Sequence, residues 1–192
     1  MKANRTLILN TLLIVIFYSC TPENPTPNPT PSPTVAIGQS YQGGKVAYIL
    51  QPGDIGYDAN VQHGLIAAPS NQLTSKWGCD GTEISGVNGT AIGTGAQNTI
   101  DIMNGCSEAG IAARICGDLG LGGYNDWYLP SQKELNKLYI NKVAIGGYFD
   151  ASGYWSSTEF DNSKAMQQDF SDGSQYYEIK WKFGSVRAVR SF

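Results

Sequence analysis

All 23 glycines of this 192-residue chain fall between Gly38 and Gly184. Their density is near twice the usual ~7%. Glycine adopts positive φ without steric cost, so such a segment is built from turns, loops and short regular elements. It is a folded segment, since the glycines are not gathered into one flexible linker. Hydrophobic residues make up 41% and charged residues 15%, which excludes a disordered polyelectrolyte and a coiled coil. The formal net charge of −3 argues against general nucleic-acid binding, which needs a basic face to displace counterions.

The first residues read as an address. Lys2 and Arg5 precede an apolar run from Leu7 to Tyr18, broken only by Asn10 and Thr11. The run is short for a bilayer span of ~20 residues and fits a signal-peptide core. The Ser19-Cys20 pair that follows resembles a bacterial lipoprotein signal, in which Cys20 becomes the acylated first residue. The alternative is an ordinary secretory signal with an incidental cysteine. Six of the nine prolines then lie between Pro22 and Pro33, a composition that forms extended polyproline II and no core. At ~3.1 Å per residue, Thr21 to Thr34 holds a domain roughly 40 Å from a membrane. That spacer favours the lipid anchor. The expected organisation is a signal over 1–19, acylated Cys20 with a Pro-rich linker over 20–34, and one domain over 35–192. Losing the signal leaves 11 cations against 16 anions.

Within the domain, Val46 to Leu50 and Gln62 to Ser70 read as strands. Trp77 to Gly95 reads as an ordered, irregular loop. Apolar residues at helical spacing predict a helix over Glu108 to Leu119. A second helix begins at Ser131, where Ser131 and Glu134 form a capping box ahead of Leu135, Leu138 and Tyr139. Gly153 to Thr158 is an aromatic strand. Ala165 to Phe170 and Gln175 to Phe183 form a hairpin around Ser171-Asp172-Gly173-Ser174. Val186 to Phe192 is a terminal strand. In the hairpin's second arm, alternation assigns Tyr177, Ile179, Trp181 and Phe183 to the core and Tyr176, Glu178, Lys180 and Lys182 to solvent. The order defines an α+β domain with small antiparallel sheets, two main helices and long Gly-rich loops.

The stretch Gly123-Tyr124-Asn125-Asp126-Trp127-Tyr128-Leu129-Pro130-Ser131, followed by Glu134-Leu135, resembles a motif of the Lcl C-terminal domain family. Tyr154-Trp155-Ser156-Ser157-Thr158 and the ending Val186-Arg187-Ala188-Val189-Arg190 match in the same order. Trp77 to Thr82 and Gly93-Thr94-Gly95 look like features of a subgroup common among lipid-anchored surface proteins. The resemblance implies a C-type-lectin-like fold, akin also to formylglycine-generating enzymes, and adhesion to host or matrix glycans. From the residues themselves, Trp127, Leu129, Tyr154 and Trp155 are core aromatics and aliphatics, with stacking on sugar rings as the other reading. Asp126 is expected to pair with Arg187 or Arg190.

Apart from Cys20 the cysteines are Cys79, Cys106 and Cys116. An exported chain meets an oxidising compartment, and three thiols allow one bridge. If one straight helix held Cys106 and Cys116 they would lie ~15 Å apart, beyond bonding reach. Cys116 fits a buried helix face as a small hydrophobe. The expected bridge is Cys79 to Cys106. Formylglycine-generating enzymes use cysteines late in the fold, and none follows Cys116 here. His63, the one histidine, reads as an exposed turn residue. It cannot build a metal cluster, and no nucleophile-elbow motif accompanies it. No metal, cofactor or catalytic residue is expected. Asp150, Glu159 and Asp161 are the carboxylates a glycosidase would pair. The residues singled out for ligand binding are Glu159, Asp161, Asn162 and Tyr176, beside the late hairpin.

These readings converge on an extracytoplasmic, non-enzymatic binding or adhesion module, lipid-anchored to the outer membrane and facing periplasm or exterior. The partners are the membrane through the anchor and a glycan or an envelope protein, without nucleic acid. The acidic balance counts against sulfated glycans. The alternative is a structural or assembly component of an envelope complex; a hydrolase stands behind both.

Overall fold

Short strands and tight turns bring the first and last segments of the domain side by side. The structure is a computed structural model that describes residues 34–150 and 152–192. The signal, Cys20 and most of the spacer lie outside the described residues. Strands β1 (Ser40–Tyr41), β2 (Gly44–Ile49), β3 (Gly64–Ala67) and, from the far end of the chain, β9 (Val189–Ser191) form one antiparallel sheet in the order β1-β2-β3-β9. A second ladder pairs β4 (Ser75–Lys76) with β8 (Phe183–Gly184), and a third joins β5 (Gly153–Glu159), β6 (Lys164–Asp169) and β7 (Gln175–Ile179) in chain order. The helices are α1 (Gly95–Gly105), α2 (Ala112–Gly117), α3 (Gln132–Ile140) and α4 (Lys142–Ile145). The domain is thus mixed α and β with small antiparallel sheets, and it has four helices among the described residues where two were expected. None of these helices is long and apolar enough to cross a membrane.

The core has two lobes. Trp77, Ile102, Ile111, Trp127 and Trp155 anchor one; Leu65, Leu135, Leu138, Tyr154 and Phe170 anchor the other. Each buried indole keeps its N–H satisfied: Trp77 donates to the Ser156 carbonyl (2.9 Å), Trp155 to Ser75 (3.0 Å) and Trp127 to Leu121 (3.2 Å). A buried ring with an unpaired N–H would cost about 1–3 kcal/mol, so these bonds fix ring orientation as well as packing. Trp127, Leu129, Tyr154 and Trp155 are core residues.

Helix α3 begins as its sequence dictates. Ser131 accepts from the Glu134 amide, and Glu134 Oε2 accepts from the Ser131 amide at 2.8 Å. The same carboxylate takes the Gly93 amide at 2.8 Å. A side chain at Gly95 would collide with it. Gly93-Thr94-Gly95 therefore ties the start of α1 to the cap of α3.

The helix expected over 108–119 is shorter. Gly110 has φ +66° and Ile111 is extended, so α2 starts only at Ala112. The preceding helix, α1, starts where the expected loop ends and has no counterpart among the expected helices. Its inward face is partly polar. Asn98 Nδ2 donates to the Gly89 carbonyl (2.7 Å), and Thr99 Oγ1 accepts from the Leu129 amide (3.0 Å). Hydrogen bonds there do the work that apolar periodicity reveals in other helices.

The hairpin forms, but the face assignment of its second arm fails. Strand β7 is the outer strand of its sheet and ends at Ile179, so the alternation does not run on to Phe183. Tyr177, Trp181 and Phe183, assigned to the core, are exposed, and Lys180, assigned to solvent, is buried.

Candidate functional site

Tyr176 and Tyr177 sit on the open edge of the three-stranded sheet. The ring of Phe160, from the β5–β6 turn, stacks on Tyr177 with centroids 3.9 Å apart and planes at 23°. Beyond the strand, Trp181 is 52% exposed and Phe183 is 70% exposed. Aromatic groups of this size are normally withdrawn from water, so their exposure here is unusual. Beside it, Asp161 Oδ1 accepts from the Ser163 amide (2.8 Å), the Ser163 hydroxyl (2.9 Å) and the Lys164 amide (2.8 Å). Those bonds, led by the Ser163 amide, hold its carboxyl below the usual carboxylate range. The exposed Asn162 ties this turn to the Gly-rich loop, its carbonyl accepting from the Gly81 amide at 2.8 Å. Tyr176 donates to Gln167 Oε1 at 3.1 Å.

Asn162 and Tyr176 thus border an open aromatic edge, and Asp161 shapes it as a turn cap. Glu159 does not join them. Its side chain points inward, accepts the Ile84 amide (2.9 Å) and pairs with Lys180. The ammonium of Lys180 also donates to the Thr82 carbonyl at 2.7 Å and lies 4.7 Å over the Trp77 ring. Glu159 is a buried anchor of the Gly-rich loop. Phe160, Tyr177, Trp181 and Phe183 were missed as surface residues. For Tyr177, Trp181 and Phe183 the signal was the pairing of aromatics with charges in Tyr176 to Phe183, masked by the assumption that one face of a two-faced strand is buried; Phe160 carried none.

Each carboxylate that a glycosidase would pair has its own partner. Asp150 accepts from Asn71 Nδ2 (2.8 Å), Glu159 is held by Lys180, and Asp161 caps its turn. His63 is half-buried, with Nδ1 3.0 Å from the Phe192 carbonyl, which corrects its reading as an exposed turn residue. It lines an apolar cavity of about 330 Å³ with Leu50, Ile55, Ile92 and Phe192.

Cys79 and Cys106 are bonded, as expected, with Cα atoms 5.9 Å apart, and Cys116 is a buried free thiol whose pKa burial raises. Glu108 Oε2 accepts from the Cys79 amide at 2.7 Å, so bridge and carboxylate together clamp the Gly-rich loop. Arg190, not Arg187, takes Asp126. Its Nε and Nη2 reach the two carboxylate oxygens at 2.7 and 2.8 Å. Arg187 turns instead to Asn71 Oδ1, at 2.9 Å.

Fold and edge together define a disulfide-clamped domain of mixed α and β structure with exposed aromatic side chains at one sheet edge. The Lcl C-terminal domain pattern matches residues 71–190, and the chain belongs to that family. Among solved structures it is similar to a fimbrial protein from Bacteroides ovatus ATCC 8483, with a TM-score of 0.52 and 17% identity. That similarity covers 76% of this chain and 43% of the fimbrial protein. Curated proteins give no significant match.

Proposed function

We propose that this is a non-catalytic recognition module of the cell envelope, held to the outer membrane through acylated Cys20 and binding glycans along the β7 edge. The observation that carries the reading is the exposed stack of Phe160 on Tyr177 at the β7 edge, in a stretch where Tyr176, Trp181 and Phe183 are exposed as well. Aromatic faces pack on the C–H faces of sugar rings, while neighbouring amide and carboxylate groups bond their hydroxyls. Family membership and likeness to a fimbrial protein support a surface or adhesion-type role. Short strands, long loops and the joined ends of the domain are consistent with a C-type-lectin-like architecture. The separate anchoring of Asp150, Glu159 and Asp161 supports a module without hydrolytic chemistry. The test is a glycan array at physiological salt, with and without calcium, on the wild type and on Tyr177→Ala and Trp181→Ala. Signals lost in both variants, with unchanged melting temperature, support the reading. An array without signal sinks it.

A second reading, an assembly component that binds protein, rests on the strand edge itself. Bonds from Asp169 to Ser174 and from Lys180 to Ser163 set the ladder so that the backbone groups of Gln175 and Tyr177 face outward. An unpaired edge accepts a strand from a partner. Crosslinking on intact cells that captures one discrete protein, with a silent glycan array, would favour it.

A further inference from the structure

Three buried side-chain nitrogens have no hydrogen-bond partner among the described residues: Gln167 Nε2, Arg187 Nε and Arg187 Nη2. Roughly nine in ten buried polar groups in folded proteins are paired, so each orphan asks for a partner. All three are donors, and they stand at the two ends of one polar seam. From Arg187 the seam runs through Asn71 to Asp150 Oδ2, then to Ser185 Oγ (3.4 Å) and on to Ser152 Oγ (2.9 Å). The residues next to those serines are Gly153 and Gly184, and a side chain on either would collide with the Gln167 amide.

Arg187 has no exposed surface. Its guanidinium lies 4.1 Å over the Phe149 ring, and Nη1 donates to Asn71. Asn71 is inserted between this cation and the nearest carboxylate, accepting from one and donating to the other, so Asp150 and Arg187 form no direct ion pair. Burial lowers the pKa of Arg187 to about 10, which leaves it charged at neutral pH. A buried cation without a paired anion is costly.

The molecule itself shows what the open edge of this guanidinium fits. In Arg190 the same two atoms, Nε and Nη2, grip both oxygens of Asp126. In Arg187 neither Nε nor Nη2 has a hydrogen-bond partner among the described residues. The exposed Gly147 lies directly over that edge: an added Cβ there would stand 3.1 Å from Arg187 Nη2 and collide with the Pro69 carbonyl oxygen, so only a glycine fits between them. The half-buried Asn71, Asp150 and Ser152 carry the seam to the surface.

We propose that the Arg187 fork is a binding site for a single carboxylate, taken from outside the chain and seated bidentately. The seam's serine hydroxyls and Gln167 amide then serve the ligand's neighbouring oxygens. One buried fork suits one carboxylate and not a polyanion, in keeping with the acidic domain. The carboxylate can come from a free small acid or from the uronate group of an acidic sugar. The site does not depend on the β7 edge.

The test follows the Arg187 side-chain Nε–H resonance of the folded domain while formate, acetate, glucuronate or glucose is added at constant ionic strength. A saturable shift with the carboxylates and none with glucose is expected. A glucuronate affinity at least tenfold above acetate assigns the site to acidic sugars, and equal affinities assign it to free acids. Arg187→Lys keeps the charge and loses the fork, so binding should fall at least tenfold. Asp150→Asn removes the neighbouring negative charge and should strengthen binding several-fold; it is the control if the lysine variant does not fold. No saturable shift in the wild type, or undiminished binding by a folded Arg187→Lys, overturns the proposal.

Discussion

Lys180 and Glu159 meet as an ion pair sealed from water, with side-chain exposures of 0% and 5%. Each has a further partner: the Thr82 carbonyl for the ammonium and the Ile84 amide for the carboxylate. The pair therefore bolts the end of β5 and the residue after β7 to the Gly-rich loop. Desolvating two charges offsets most of their attraction, but removing one partner strands the other, at about 3–5 kcal/mol. Lys180→Met alone should cost that much in urea denaturation. Lys180→Met with Glu159→Gln, which removes both charges and keeps an acceptor for Ile84, should cost distinctly less than the lysine change alone. Equal losses would mean that the charges are not coupled.

The Cys79–Cys106 bridge should matter through the unfolded chain. With a sequence separation of 27, closing that loop contributes roughly 3–4 kcal/mol in the chain-entropy account. Reduced protein, or a Cys79→Ala/Cys106→Ala variant, should lose that amount in chemical denaturation while keeping its far-UV circular dichroism. Cys116 should resist alkylation in the native state, because burial raises its pKa and hides the sulfur. Rapid native labelling of Cys116 would contradict the packing of α2.

Which parts of this were legible in the sequence follows from where the stabilising groups sit. Helix α3 announced itself because its cap is local: Ser131 and Glu134 are three residues apart and bond each other. The interior positions of Trp127 and Trp155 follow from size and apolarity alone. Helix α1 was silent because Asn98 and Thr99 face inward and are satisfied by Gly89 and Leu129, partners that no periodicity encodes. Lys180 was placed in solvent by alternation, since nothing in its neighbourhood names Glu159, 21 residues away, as its counter-ion. The same ambiguity left Asp126 between two arginines. The exposed aromatics beside β7 needed the sheet order, which makes that strand an edge. Seen from the chain alone, Glu159 looked like its neighbour Asp161, and only burial separates them.

Two adjacent glycines offer a clean comparison. Gly122 and Gly123 both have positive φ, at +65° and +84°. A Cβ on Gly122 would collide with the Cα of Gly43, in the turn between β1 and β2, whereas one on Gly123 meets nothing within 4 Å. Gly123→Ala should therefore cost only the torsional strain, about 1 kcal/mol, and Gly122→Ala should cost more, about 2–3 kcal/mol, because two backbones must also part. Equal melting temperatures for the two variants would show that the Gly43 contact is not maintained.

The Asp126–Arg190 pair sets an acid-side dependence. Hydrogen bonds from the guanidinium, more than its charge, hold the Asp126 carboxyl below its usual value. A depressed carboxyl stabilises the folded state above its unfolded pKa of ~3.9, and that contribution is lost as pH falls through the lower folded value. The Asp126 side chain is 58% exposed, so salt screens part of the effect. Glu134, raised by burial, acts with the opposite sign: its contribution is complete below the unfolded value and lost as pH rises through the folded one. Asp126→Asn should thus flatten the stability curve below pH 4, with the difference from wild type shrinking in 1 M salt. Melting curves of both proteins from pH 2 to 7 measure it directly. A variant that loses stability on acidification as steeply as the wild type would mean that the grip of Arg190 on Asp126 does not persist in solution.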